Sequence, residues 1–327
     1  MSLGANRRGP ARFSLQPPDS TNAIERAFCS SNRERSTMIP SRTSRTAERV
    51  ALHRAAHQLL DRPAVLDDPL AIDILGAEVA AAIRADPARF ETERHARYLR
   101  AFVAVRARFA EDQLARVRAA GVKQYVVLGA GLDTSAYRIS KPDLPLRVWE
   151  VDHPATQAWK RERLRDAGID SPGSVTYVPI DFEHQTLPDT LAAAGFDSAA
   201  GALFSWLGVV PYLTPSAILS TLSYIASATH AGGGVVFDYS LAPEVLTLRQ
   251  RAVYDALADH VRSDGEPFQS SFVPAELTQQ LRSLGFAFAE DFSTEALNAR
   301  YLSEREDGLR VGQLAHLIWA GSTSHAP

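Results

Sequence analysis

The run Tyr125-Val126-Val127-Leu128-Gly129-Ala130-Gly131-Leu132-Asp133-Thr134 is the strongest single constraint on what this chain can fold into. A short apolar, β-branched stretch that stops at Gly-x-Gly reads as a buried parallel strand opening into a tight turn, where backbone lies close to a ligand. Val148-Trp149-Glu150-Val151-Asp152 is a second apolar run, and it ends in acid. A glycine turn followed about 20 residues later by a carboxylate is the pairing that a nucleotide ribose requires. The two runs together imply an adenosine-containing cofactor and leave its kind open.

From Gly121 onward, strand, turn and helix alternate. Strands are expected at Tyr125 to Leu128, Leu146 to Val151, Val175 to Pro179, Gly201 to Phe204 and Gly234 to Asp238, each followed by a helical pattern such as Ala155 to Ala167 or Pro215 to Ser227. That alternation implies right-handed crossovers and a mainly parallel sheet of the α/β class. Phe286 to Phe292 and Ala315 to Trp319 are expected to finish the sheet as a hairpin-like pair. Before the first strand, three helices are expected. The first carries Val50, Leu52, Ala55, Ala56, Leu59 and Leu60 and stops at Asp61-Arg62-Pro63. The second starts at Asp67-Asp68-Pro69 and runs through Leu70, Ile72, Ile74 and Leu75. The third covers Arg94 to Ala120, with Tyr98, Phe102, Val105, Phe109, Leu114 and Val117 on one face. The organisation expected is therefore a tail at 1–40, an N-terminal helical cap at 41–120 and a cofactor-binding domain at 121–327, with a helical insertion at 241–272.

Ser, Arg, Pro and Asn dominate the tail, whose scattered apolar residues cannot offset the entropy of ordering it. Met38 is an alternative start for the chain. The 327 residues carry a net charge of −3, which provides no basic footprint for nucleic acid. One cysteine, Cys29, allows neither an internal disulfide nor a multi-cysteine metal site. No uninterrupted apolar window is long enough to cross a membrane, and no apolar segment follows the N-terminal arginines as in a secretory signal. The expectation is a cytoplasmic protein.

The residues also discriminate between cofactors. A dinucleotide site would continue as Gly-x-Gly-x-x-Gly, but position 134 is Thr and a carboxylate, Asp133, stands beside the turn. A pyrophosphate gains nothing from that carboxylate, whereas a sulfonium carrying an ammonium group does. This favours S-adenosylmethionine over a nicotinamide dinucleotide. Glu150 and Asp152 share a strand face, so either could take the ribose hydroxyls. Asp181, at the end of the third strand, suits the adenine amine, with Phe182 to pack on the ring. Acids at successive strand ends converge on the crevice where open α/β sheets bind ligands.

Leu128-Gly129-Ala130-Gly131-Leu132-Asp133-Thr134, Tyr137-Arg138 and Glu150-Val151-Asp152-His153-Pro154 resemble the leucine carboxyl methyltransferase-like superfamily, and more closely its bacterial, actinobacterial-type branch of O-methyltransferases. Ser44-Arg45-Thr46-Ala47, Arg54-Ala55-Ala56-His57 and Asp67-Asp68-Pro69-Leu70-Ala71 extend the resemblance over nearly everything after residue 40. It implies a class I methyltransferase, with a Rossmann-like, mostly parallel seven-stranded sheet, S-adenosylmethionine as methyl donor and a small-molecule acceptor such as a secondary metabolite. By resemblance, Arg106 pairs with the cofactor carboxylate and Gly129 lies under the methionine moiety. Asp152 binds the ribose and Asp181 the adenine, which leaves Glu150 a supporting role. Gly131, Asp133 and Phe182 complete the expected cofactor site, and no metal is implied. One departure stands out: where the family commonly reads Ala-Glu-Gly-Leu after the fourth strand, this chain reads Ser205-Trp206-Leu207-Gly208. Leu207 removes a partner for the cofactor amine.

Methyl transfer from a sulfonium needs alignment and exclusion of water more than acid–base chemistry. A carboxylate acceptor needs no base, whereas a hydroxyl profits from one. His153, Tyr212 and Tyr239 are the candidate bases, and the residues alone do not choose among them. A nicotinamide-dependent oxidoreductase and a non-catalytic binding protein on the same fold are the competing readings.

Overall fold

Seven strands form one sheet in the order β3-β2-β1-β4-β5-β7-β6 in a computed structural model of the chain. The model describes residue 1 and residues 45–322, apart from 89–95, 140–145, 183 and 264. The tail, Cys29 and Met38 lie outside the described residues. The strands are β1 (Gln124–Leu128), β2 (Arg147–Asp152), β3 (Val175–Pro179), β4 (Ala202–Trp206), β5 (Gly233–Ser240), β6 (Phe288–Phe292) and β7 (Ala315–Gly321). β1 to β5 pair in parallel, and β7 lies antiparallel between β5 and β6. The chain leaves β1 for β2 on one side and returns to β4 on the other. The crevice of an open α/β sheet forms at that reversal.

Alternation along β1 feeds two cores, because successive side chains leave opposite faces. Val126 and Leu128 join Trp149, Phe204 and Phe237 in one cluster, beneath helices that supply Leu191, Leu222 and Leu281. Tyr125 and Val127 join Val148 and Leu203 in the other, covered by Phe102, Val105, Phe109, Leu114 and Val117 of the long helix Ala96–Ala119. Tyr98 departs from the expected face of that helix and is 48% exposed. In chain order the helices are α1 (Arg45–Leu60), α2 (Ala77–Ala85), α3 (Ala96–Ala119), α4 (Ser135–Ile139), α5 (Pro154–Asp166), α6 (Leu187–Ala193), α7 (Pro215–Ala228), α8 (Leu248–Ser263), α9 (Pro274–Ser283) and α10 (Thr294–Tyr301).

The second expected helix is replaced by something shorter. After Pro69 the chain makes turns and a brief 3-10 segment, Asp73–Leu75, and α2 starts only beyond Gly76. Gly76 has φ +88, and the space of a side chain there is filled by the Arg163 guanidinium. A residue in the left-handed region cannot lie inside a right-handed helix, so the periodic run divides there. In the 241–272 region, α8 presents one buried residue, Val261, and the loop after it returns over the β4 end of the sheet.

Candidate active site

The glycine turn is shaped by protein on both sides. Gly129 and Gly131 have φ +67 and +44, so both need glycine for conformation alone. A side chain at Gly129 would meet Val209 Cγ2 at 2.4 Å, and one at Gly131 would meet Ala47 Cβ at 3.2 Å. The loop after β4 and the first turn of α1 thus occupy the side-chain directions of the two glycines, while the backbone of both stays in the cleft along this turn. The Gly131 N–H instead donates to Asp152 Oδ2 at 2.6 Å, which ties the turn to the acidic end of β2.

A cleft of about 410 Å³ opens along this turn, within the size range of small-molecule sites, roughly 300–1,000 Å³. Gly129 to Asp133 and Asp152 line it from the strand ends and the turn, Thr156 from α5, Arg106 from α3 and Arg54 from α1. Leu207 to Val209, Tyr212, Thr46 and Gly265 to Pro267 close it from the covering segments.

Five of the seven residues expected at the cofactor lie in this lining. Asp133 Oδ1 accepts from the Ser135 N–H and hydroxyl at 2.8 and 2.5 Å, which anchors the start of α4. Burial alone would raise the Asp133 pKa, but Arg54, Lys160, Arg138 and the Ser135 bond outweigh it and hold the carboxyl below its usual value. Asp152 takes the His153 N–H on Oδ1 at 2.7 Å as well as Gly131, yet burial raises its pKa. Arg106 lines the cleft with Nη1 on Asp238 Oδ2 at 2.9 Å, while Asp238 Oδ1 takes the Gly208 N–H at 2.6 Å. One buried carboxylate thus fixes both the arginine and the loop after β4. Gly208 has φ +72, and a side chain on it would strike the Arg106 guanidinium at 2.6 Å. Asp181 and Phe182 lie outside the lining: the Asp181 N–H donates to Gln185 Oε1 at 3.0 Å, and Phe182 is 63% exposed.

Three sequence expectations change. Glu150 does not reach the cleft; it is fully buried, with Lys160 Nζ at 2.8 Å and the Tyr137 hydroxyl at 3.1 Å. Its short distance from Asp152 in sequence does not help, because Lys160 of α5 and Tyr137 of α4 enclose it. His153 Nδ1 accepts the Ala155 N–H at 3.2 Å and caps α5, which occupies the nitrogen a base would use. Tyr239 is enclosed in the core, with its hydroxyl on Asp291 Oδ1 at 2.6 Å. Of the three candidate bases, Tyr212 alone lines the cleft.

Sequence reading did not foresee how the scattered motifs connect. Asp68 is fully buried and receives the Thr134 hydroxyl on Oδ2 at 2.6 Å. Arg138 Nε lies 3.2 Å from its other oxygen, and Arg138 Nη2 reaches Glu111 at 2.5 Å. Arg54 Nη2 donates to the Leu132 carbonyl at 2.5 Å; its Nε stands 2.7 Å from Asp68 Oδ2, a charge contact whose angle falls short of a hydrogen bond. Position 134, where a dinucleotide fingerprint would need glycine, thus holds a hydroxyl committed to Asp68. His57 is likewise buried; its Nε2 accepts the Val65 and Leu66 N–H groups, so Nδ1 carries the proton toward Asp61 at 2.7 Å. These bonds fasten the N-terminal helices onto the glycine turn.

A parallel sheet with an antiparallel β7, a glycine turn at its reversal and an acidic β2 end define a Rossmann-like nucleotide-cofactor enzyme of the methyltransferase type. The model of the family "Leucine carboxyl methyltransferase" matches residues 47–226. A Bacillus subtilis protein provisionally named S-adenosyl-L-methionine-dependent methyltransferase YktD is 32% identical over 304 residues, covering 86% of this chain and 99% of that protein. A Mycobacterium marinum protein with the same provisional designation is 33% identical over 181 residues, 53% of this chain and 56% of its own; the match thus spans about half of that relative. A provisionally named methyltransferase of known structure from Thermobifida fusca superposes with TM-score 0.49 at 18% identity, over 84% of this chain and 94% of that one. The chain belongs to the leucine carboxyl methyltransferase family, and with it to the S-adenosylmethionine-dependent methyltransferases.

Proposed function

We propose that this protein transfers the methyl group of S-adenosylmethionine to an oxygen of a small molecule. What carries the reading is the convergence on one cleft of the Gly129–Gly131 turn, two carboxylates and a positioned arginine. Asp152 is the ribose ligand and Asp133, held ionised among cations, faces the cationic amino-acid end. Arg106, fixed by Asp238, presents its free guanidinium nitrogens to the carboxylate, as a fork suits that group. This donor set fits an adenosine-bearing sulfonium amino acid. When bound, that molecule supplies an already activated methyl group, so the protein's work is alignment and exclusion of water. The covering segments do both, and the acceptor is read as a metabolite small enough to share the cleft. Asp181 and Phe182, beyond the lining, are retained as adenine contacts.

Calorimetric titration with S-adenosylmethionine, S-adenosylhomocysteine and NAD tests the donor. Binding of the first two and not the third is expected. If none binds at millimolar concentration, the methyltransferase reading fails. Methyl-labelled donor offered with carboxylate, hydroxyl, amine and thiol acceptors then tests the oxygen assignment, and label transferred only to nitrogen or sulfur would sink it.

A further inference from the structure

Arg106 and the loop after β4 share one buried anion. Asp238, in β5, takes Arg106 Nη1 on Oδ2 at 2.9 Å and the Gly208 N–H on Oδ1 at 2.6 Å. The arginine and aspartate side chains are 8% and 5% exposed, so water offers neither ion a substitute partner. The guanidinium is held through its faces as well. The Phe102 ring centroid lies 5.8 Å from Arg106 Cζ, and a Cβ on Gly208 would stand 2.6 Å from Nη2 and 3.2 Å from Cζ. Gly208 thus gives the arginine bare backbone to lie on, at a φ of +72 that favours glycine. Among the described residues, Asp238 is the hydrogen-bond partner of Arg106, and Nε and Nη2 are left for a ligand in the cleft.

The loop that Asp238 holds also carries the cover of the cleft. The Pro211 carbonyl accepts from the backbone N–H groups of Gln269 and Ser270 at 2.7 and 3.3 Å. The Val210 carbonyl accepts from the Ser270 hydroxyl at 2.8 Å, and the Tyr212 carbonyl from Gln269 Nε2 at 2.5 Å. Glu266 Oε2, a few residues earlier, accepts the Thr46 N–H at 3.2 Å and ties the same cover to the start of α1. α8, which leads into the cover, buries only Val261. With so little packing behind it, the cover takes its position from these bonds. A continuous path therefore joins the arginine to the cover: Arg106 to Asp238, Asp238 to Gly208, and the Val210–Tyr212 turn to Gln269 and Ser270.

Resting on the methyltransferase reading, we propose that Asp238 is a positioning residue that couples the donor's carboxylate to the cover. When Arg106 takes that carboxylate, Asp238 passes the change to the loop after β4 and through it to residues 265–270. The cleft then closes fully only over a donor with an intact amino-acid end. The coupling arises because one planar carboxylate serves both partners. Drawing the guanidinium toward a second anion weakens its bond to Oδ2. The carboxylate follows by turning, which moves Oδ1 and the Gly208 amide with it. A donor lacking the carboxylate has no differential contact with the two loop arrangements and shifts nothing. The order that results is donor before acceptor. Asp238 touches neither of them; it acts through Arg106 and Gly208.

The test compares S-adenosylhomocysteine with S-adenosyl-3-thiopropylamine, the same molecule without its carboxylate. Asp238→Asn should bind S-adenosylhomocysteine about 10- to 100-fold more weakly in calorimetry, the worth of a hydrogen bond to a charged group. It should bind the thiopropylamine as the wild type does, which also shows that the variant is folded. Arg106→Ala should show the same selective loss, and adding Asp238→Asn to it should weaken S-adenosylhomocysteine no further. Amide hydrogen exchange at saturating ligand reads the cover itself. In the wild type, S-adenosylhomocysteine should slow exchange at 207–212 and 265–270 and the thiopropylamine should not; in Asp238→Asn neither should. Gly208→Ala, whose Cβ displaces the guanidinium without altering a charge, should reproduce both effects and serves if Asp238→Asn does not fold. Wild-type affinity of Asp238→Asn for S-adenosylhomocysteine, equal losses for the two ligands, or equal protection by both in the wild type overturns the coupling and leaves the methyltransferase reading standing. Failure of the wild-type protein to bind S-adenosylhomocysteine brings down that reading, and the coupling with it.

Discussion

Replacing Lys160 with Met should cost this protein more than any substitution on its surface. The Lys160 ammonium is 1% exposed and the Glu150 carboxylate not at all, and they meet at 2.8 Å. Without Lys160, Glu150 keeps one further donor, the Tyr137 hydroxyl at 3.1 Å, and no countercharge in contact. Removing one partner of a buried pair costs about 3–5 kcal/mol, because the charge left behind is desolvated and uncompensated. The Tyr137 bond and the similar volume of Met place the expected loss near the lower end, about 3 kcal/mol.

The sign of the pH dependence follows. Burial already raises the Glu150 pKa even with Lys160 beside it. In Lys160→Met the folded-state pKa rises further, while the unfolded value stays ordinary. An acid with a raised folded pKa binds more protons folded than unfolded, so stability falls as pH climbs from the unfolded to the folded value. The penalty of the variant should therefore be largest near pH 8 and shrink toward pH 5, by about 1.4 kcal/mol for each unit of further shift. Urea midpoints of wild-type and variant at the two pH values measure it. Lys160→Met with Glu150→Gln should recover most of the loss, since a neutral polar group replaces the stranded charge. A loss under about 1 kcal/mol at the higher pH, or equal losses at both, would refute the reasoning.

Three further outcomes follow from the same geometry. Asp152→Ala should weaken S-adenosylmethionine binding by about 10- to 100-fold, the worth of hydrogen bonds to a charged acceptor, and unchanged calorimetric affinity would cancel the ribose assignment. Gly129→Ala should lose about 2–5 kcal/mol, from positive φ together with the Val209 contact at 2.4 Å; adding Val209→Ala should relieve the steric part, and strict additivity in chemical denaturation would deny the contact. His53 is pushed down to about 4 by burial first and then by Arg49, Arg100 and Arg106. Its folded state resists protonation, so its stabilising contribution is complete above the ordinary histidine pKa and is lost as pH falls through about 6.5 toward 4, by about 3 kcal/mol in all. His53→Gln should flatten that part of the stability–pH curve, and parallel curves for the two proteins would contradict it.

The sheet was legible because apolar runs and glycine turns are local signals. Tyr125 to Leu128 and its neighbours fall on strands within one or two residues, and the reversal at β1 follows from the order of elements. The failures have local causes as well. The division of the 67–75 region turns on the positive φ of Gly76, which a periodic apolar pattern cannot express. Glu150 and Asp152 were equivalent by strand alternation, and only the depth of α5 separates them. Lys160 could have been found: Thr156, Lys160 and Leu164 repeat at a four-residue spacing and all are buried, so the lysine lies on the inward stripe of α5 and calls for an anion. Glu266 gave no such signal. It stands in a loop, its partner is 220 residues away, and no periodicity links them.

The departure at Leu207 takes on a different meaning in three dimensions. A missing glutamate after β4 reads in sequence as a lost partner for the cofactor amine, yet the loop is not loose. Its Gly208 amide is tied to Asp238, which also holds Arg106, and Leu207 packs against the apolar cluster beneath α3. Asp238 stands behind Arg106, and Asp133 lines the same cleft at the glycine turn, without either occupying position 207. A glutamate at 207 would add a further negative charge to a cleft that already carries Asp133, Asp152 and Glu266 in its lining and Asp238 behind Arg106. The apolar residue is thus consistent with a charge arrangement redistributed onto Asp133 and Asp238. Leu207→Glu should then gain no affinity for S-adenosylmethionine and should lose stability at neutral pH, more so at low salt, because like charges repel over the Debye length. Tighter calorimetric binding by Leu207→Glu would show instead that the cofactor amine lacks a partner in this chain.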